Sequence, residues 1–285
     1  MSTYRTLKSG YKMPSLALGM YHIEPQQCTS IVKDALKIGY RGFDSAQFYK
    51  NEKRTFEAIS QWIEEDPQKN KRDDLFFTTK LFDGVQGYDM AKKSISRTLD
   101  KAKQVGSYID QALILSPQTN KEKRLETYRA LQDLVKDGVV HSIGVANYGI
   151  PHIQELYDWD GLEIEPDVNQ VELHPWLMRK ELVDYCNNKE IQLVAYSPLA
   201  KGKKFNMDEK LTKLAKKYDK TQGQILIRWS IQQGFIPLPK TSNQERLLSN
   251  FDVFDWEINE ADAEILDHPE LYYVTGWDPT TYEDQ

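Results

Sequence analysis

The sequence predicts an α/β fold, a single (β/α)8 TIM barrel, and three observations carry that expectation. Short apolar runs alternate with amphipathic segments almost from end to end. The amphipathic segments repeat their apolar residues near the helical spacing, and the connections are short, which implies a parallel sheet with crossover helices. At 285 residues the chain suits one closed barrel. No linker rich in Pro, Gly or Ser, no low-complexity tract and no charge block divides residues 1–285 into two units.

Taken in order, strands are expected at 15–19, 39–44, 75–80, 108–115, 140–145, 167–171, 191–196 and 234–238. Helices are expected at 27–38, 51–64, 89–104, 122–137, 151–158, 178–188, 208–217 and 221–233. The first of these carries Ile31, Val32, Ala35, Leu36 and Ile38 on one stripe. Three pieces stand outside the repeat. Residues 4–14 read as an N-terminal hairpin around Ser9-Gly10 that closes the barrel bottom. Extra helices are expected at 243–251, after strand eight, and at 259–266. Residues 268–285 form a polar, aromatic tail without periodicity.

The net charge of −6, with Lys and Arg spread along the chain, leaves no basic stripe and argues against nucleic acid as a partner. No apolar stretch approaches the roughly 20 residues of a membrane span, and the N-terminus has no signal-peptide core. Cys28 and Cys186 lie far apart in no metal-binding spacing, which fits reduced thiols in the cytoplasm and no bound metal.

In a barrel of this kind chemistry sits at the C-terminal ends of the strands. Asp44 ends strand two, Tyr49 follows it, and Lys80 ends strand three. A tyrosine can protonate a carbonyl oxygen as hydride arrives at carbon, although its ordinary pKa of about 10 is high for that task. A lysine cation lowers that pKa, and a carboxylate holds the lysine charged. From spacing alone, a structural Asp44–Lys80 ion pair beside an ordinary loop tyrosine remains an equal alternative. Tyr21, Phe48, Phe82 and Trp176 each follow a strand, as an apolar substrate wall or as packing aromatics. His22, just past strand one, reads first as a solvated loop residue, the alternative being a residue near the mouth that partly stands in as a donor.

From about residue 4 to residue 275 the chain resembles the aldo-keto reductases, closest in pattern to the short-loop microbial and fungal members. The resemblance is carried by MPSLALG (13–19), GYRGFDSAQFYKNE (39–52), TTKL (78–81), YID (108–110), GVANY (144–148), VNQVELHP (168–175), AYSPL (195–199) and LPKTSNQERLLSN (238–250). It implies that Asp44, Tyr49 and Lys80 are three of four catalytic residues. The fourth, a histidine at the end of strand four, falls on Leu115 in Leu113-Ile114-Leu115-Ser116-Pro117. Leucine has no donor for a carbonyl oxygen, and losing one such donor typically costs on the order of 10²–10³ in rate. Ser116 points to the other face and is a poor substitute.

The resemblance also implies an NADPH site. Lys240, Thr241, Ser242, Asn243, Arg246 and Asn250 match the segment that holds the 2′-phosphate side of the cofactor, and lysine and arginine suit a dianionic phosphate. Asn147 and Gln170 would bind the nicotinamide carboxamide and Tyr196 would stack on the ring, with Ser197 and Leu199 along the pyrophosphate. Ala146 replaces a common serine, and Ser249 a common acidic residue. Leu115 joins the substrate-facing set, the short loop 116–121 implies an open pocket, and the tail would fold over the mouth. Two functions follow: NADPH-dependent reduction of a small carbonyl substrate by a monomer or weak dimer, slowed or altered by Leu115, or a barely catalytic NADPH-binding barrel with an interaction or sensing role. A Schiff-base barrel using Lys80 is contradicted by the nucleotide segment.

Overall fold

A computed structural model describes residues 3–284; residues 1, 2 and 285 of the expected single domain lie outside the described residues. Tyr4–Thr6 (β1) and Lys12–Pro14 (β2) pair antiparallel as the expected hairpin. Gly10 takes a φ of 90° in its turn, which glycine adopts without steric cost. The barrel strands are Leu18–Gly19 (β3), Gly42–Asp44 (β4), Phe76–Leu81 (β5), Ile109–Ile114 (β6), Val140–Ala146 (β7), Val168–Glu172 (β8), Gln192–Tyr196 (β9) and Ile236–Leu238 (β10). They lie in one parallel sheet in chain order. Hydrogen bonds from Ala17 N to Pro237 O (3.3 Å) and from Gly19 N to Pro239 O (3.1 Å) join its first edge to its last. The sheet closes as a (β/α)8 TIM barrel.

Six helices follow one strand each: Pro25–Ile38 (α1), Glu52–Glu65 (α2), Tyr88–Ala102 (α3), Lys121–Lys136 (α4), Ile150–Tyr157 (α5) and Lys180–Asn188 (α6). Glu209–Tyr218 (α7) and Gln222–Gln232 (α8) both stand between β9 and β10, and Gln244–Phe251 (α9) and Glu260–Leu266 (α10) follow β10. α9, expected after strand eight, packs against α8 and α1 and so completes the ring of helices, while α10 packs on α7. Local chemistry sets these starts. Thr221 and Gln224 form a reciprocal cap at α8, and the Asn243 side chain accepts from Arg246 N at α9. Among the described residues, no helix is long and apolar enough to cross a membrane.

Two cores result. Inside the barrel, Phe76, Leu113, Val168, Val194, Ile236 and Leu238 meet Leu7 and Met13 of the hairpin, which fill the bottom. A larger core, with Phe43, Phe77, Ile143 and Val171 among its members, lies between sheet and helices. Both faces of the strands are thus apolar, as parallel sheets require. The interior is tight at Gly144, where a Cβ would lie 2.4 Å from the Val168 carbonyl oxygen. With the bottom packed solid, the open end is the C-terminal one.

The tail crosses that end. His268 N and Tyr273 N donate to the carbonyls of Pro175 and Trp176, and Thr275 N donates to Glu172 Oε1 at 3.1 Å. Arg179 clamps Asp278 at 2.9 Å, Trp277 Nε1 donates to Gln118 Oε1 at 3.1 Å, and Arg124 holds Asp284 at 2.7 Å.

Candidate active site

β4 and β5 deliver the two charged residues expected at the mouth. Phe76, Thr78 and Lys80 alternate inward along β5, as successive residues of a strand must. At the top, Lys80 Nζ donates to Asp44 Oδ1 at 2.5 Å and to the Ser45 carbonyl at 2.7 Å. The other Asp44 oxygen accepts from Gln170 Nε2 at 2.7 Å, so the carboxylate is fixed from two sides. Lys80 and Asp44 are buried. The Tyr49 ring is half-buried, with the ammonium 5.1 Å from its centroid. Burial pushes the Lys80 ammonium below its ordinary value, against the pull of Asp44. Burial, then the Asp44 charge and Tyr21, pushes the Tyr49 hydroxyl well above its ordinary range. This departs from the lowering expected from sequence: with Asp44 balancing the cation, desolvation of the phenolate wins. Tyr49 is therefore a protonated phenol at neutral pH, able to donate.

Leu115 lies just beyond β6, where its N–H continues the ladder to Leu81 O at 2.8 Å. Leu113 belongs to the barrel interior, so two residues on Leu115 faces the mouth. It is half-buried there. Ser116 turns away and donates to Asp83 Oδ1 at 2.6 Å. The Leu115 carbonyl accepts from Asn147 Nδ2 at 2.9 Å, and Asn147 Oδ1 accepts from the Tyr196 hydroxyl at 2.9 Å. Asn147 and Ser197 have φ of 61° and 48°, so the backbone at the ends of β7 and β9 turns sharply toward the opening.

Tyr21, Phe48 and Phe82 stand together at the rim. Tyr21 is 45% exposed and tilts on Tyr49 at a centroid distance of 5.0 Å; Phe48 is 60% exposed and lies 6.3 Å from Phe82. His22 is exposed and touches Tyr21, at 3.9 Å between rings. Trp176 stands apart from this wall. It is buried, donates from Nε1 to Asp208 at 3.0 Å and stacks on His268, as packing beneath the tail. Its place after β8 gave the same sequence signal as a rim aromatic.

Residues 240–250 place two cations at the start of α9. Lys240, Ser242, Asn243 and Arg246 are exposed, Thr241 and Asn250 are buried, and Thr241 Oγ1 accepts from Asn243 N at 3.1 Å. Two cations, a hydroxyl and the positive end of a helix make a donor set suited to a phosphate dianion. Ser197 and Leu199, just past β9, are half-buried, and Ala146 at the end of β7 is buried.

Two arrangements escaped the sequence. Asn51 ties the segments carrying Tyr21 and Tyr49: it accepts from Ser45 Oγ at 2.8 Å and donates to Met20 O at 2.8 Å and Ile23 O at 3.2 Å. Buried Glu172 and His174 pair at 3.1 Å beneath the tail. Burial opposes ionisation of Glu172, but bonds from His174 and Thr275 outweigh it and lower its pKa. Glu172 was findable, since strand alternation places it on the inward face with Gln170.

A model described as the aldo/keto reductase family matches residues 15–270. A Saccharomyces cerevisiae protein called uncharacterized oxidoreductase YJR096W is 44% identical over 274 residues, covering 96% of each chain. Glyoxal reductase of Bacillus subtilis is 38% identical over 262 residues, 92% of this chain and 90% of that one. Among solved structures, MGS-M4, an aldo-keto reductase enzyme from a Medee basin deep-sea metagenome library, superposes with a TM-score of 0.89 at 34% identity. The match covers 99% of this chain and 100% of that one.

Proposed function

This chain belongs to the aldo/keto reductase family of oxidoreductases, and from that premise we propose that it reduces small aldehydes or ketones to alcohols with NADPH. The observation that carries the reading is the buried Lys80–Asp44 pair set against a protonated Tyr49. The substrate carbonyl enters between Tyr49 and the rim of Tyr21, Phe48 and Phe82. Tyr49 releases its proton to the carbonyl oxygen, and Lys80 stabilises the phenolate left behind. Asp44 and Gln170 hold Lys80 in place. When bound, NADPH supplies the hydride. Lys240 and Arg246 would hold its 2′-phosphate with Thr241, Ser242, Asn243 and Asn250, Ser197 and Leu199 would lie along the pyrophosphate, Tyr196 would bind the nicotinamide ring, and Asn147 and Gln170 its carboxamide.

Leu115 sets the substrate class within that reading. A carbonyl made electrophilic by a neighbouring carbonyl depends least on the missing donor, so α-dicarbonyls are the best substrates, in line with the relative named glyoxal reductase. Residues 1–285 act as one cytoplasmic domain, as a monomer or weak dimer. A second reading, a barely catalytic NADPH-binding barrel with an interaction or sensing role, is favoured by the apolar Leu115 and by Ala146. NADPH oxidation across glyoxal, simple aldehydes and quinones separates the two. Turnover that Tyr49→Phe abolishes while NADPH binding persists supports the reductase; no turnover by the wild type supports the second reading.

A further inference from the structure

We infer that the Tyr21 hydroxyl is the second hydrogen-bond donor to the substrate's carbonyl oxygen, in the role that Leu115 cannot fill. The inference rests on the carbonyl-reductase reading above. Its ground is an inventory of donors around Tyr49. The Tyr196 hydroxyl is committed to Asn147, Asn147 Nδ2 to the Leu115 carbonyl, Ser116 to Asp83, and Gln170 Nε2 to Asp44. Tyr21 differs from all of these. Its ring lies against Tyr49 at 5.0 Å, it is 45% exposed at the mouth, and among the described residues its hydroxyl has no hydrogen-bond partner. Its phenol also bears on the Tyr49 hydroxyl, contributing to the raised pKa there. His22 is a further shell out, touching Tyr21.

The placement is built into the fold. Tyr21 follows Met20, whose N–H donates to Asp44 O at 2.9 Å and whose carbonyl accepts from Asn51. Asn51 is two residues past Tyr49 and is itself bonded by Ser45. One buried asparagine thus locks the two tyrosine-bearing segments in register, as preorganised donors require. The two phenols play different parts. Hydride goes to the carbonyl carbon, the Tyr49 proton goes to the oxygen, and Tyr21 keeps its proton throughout, donating a hydrogen bond that strengthens as charge grows on oxygen.

The test is a pair of substitutions read by kinetics and by binding. Tyr21→Phe keeps the ring and removes the donor. It is expected to lower kcat/KM for a simple aldehyde about tenfold, with NADPH affinity and melting temperature unchanged. Benzamide, a carbonyl compound that accepts no hydride here, gives a readout without turnover: its affinity for the NADP-saturated protein should fall several-fold. In a Leu115→His background, where an imidazole supplies the donor, the same change should cost only about threefold or less. Wild-type kinetics and benzamide affinity in Tyr21→Phe, alongside an inactive Tyr49→Phe, overturn the role of Tyr21 alone. Equal losses in both backgrounds overturn its standing in for the histidine. A wild type inert toward every carbonyl removes the reductase reading and this inference with it.

Discussion

Asp44 divides its two oxygens between Lys80 and Gln170, and that division predicts a pH profile. A lysine carries charge below its folded pKa, and burial has moved that of Lys80 below the ordinary value near 10.4. Tyr49 has moved the other way, so it stays protonated after Lys80 has lost its charge. The alkaline fall in carbonyl reduction therefore belongs to Lys80 and sets in below the usual lysine range. Asp44→Asn removes the counter-charge and should shift that fall to lower pH while reducing the plateau; kcat/KM measured from pH 6 to 10 checks it, and an unmoved limb refutes it. Breaking a buried pair also costs about 3–5 kcal/mol of stability, so melts accompany the kinetics. That Asp44, Tyr49 and Lys80 come together was legible in sequence because each lies at or just past a strand mouth. The Asn51 tie and the commitment of Tyr196 to Asn147 were not, since both join segments at the mouth whose distance only the closed barrel fixes.

The elements were largely readable, and their edges less so. The run 15–19 reads as a five-residue strand, yet only Leu18–Gly19 pairs with β4. Ser15 N instead reaches Thr3 O and Ala17 N reaches Pro237 O, so the segment serves hairpin, barrel closure and sheet in turn. An apolar run buried on both faces carries no mark of where its pairing begins. α9 was legible at its start, because Asn243 is a preferred N-cap residue, and that start carries the nucleotide claim. Lys240 and Arg246 are exposed, so they cost little to remove from the fold. Each charge-assisted bond to a phosphate contributes about 1.5–3 kcal/mol. Lys240→Ala with Arg246→Ala should thus weaken NADPH binding about a hundredfold or more, and leave NADH within about threefold. Fluorescence titration decides; an unchanged preference for NADPH contradicts the assignment.

At the scale of the whole molecule, a solid bottom and a strapped top leave one working end. The hairpin fills the barrel below, and the tail ties the β8, β9 and β6 sides of the mouth together through Thr275, Lys203, Trp277 and Asp284. Within that frame sits the proposed carbonyl-reducing centre, in which Leu115 occupies the position read as lacking a donor, and Leu115→His is the measurement that tests this account most directly. An imidazole at 115 would face the carbonyl oxygen beside Tyr49 and add up to about 3 kcal/mol of transition-state stabilisation, less the cost of a polar ring in a half-buried apolar position. Steady-state kinetics of wild type and Leu115→His on the same small aldehydes should show kcat/KM raised about tenfold or more, with NADPH affinity unchanged and melts confirming the fold. A mutant that folds, binds NADPH and gains nothing on any carbonyl contradicts the account.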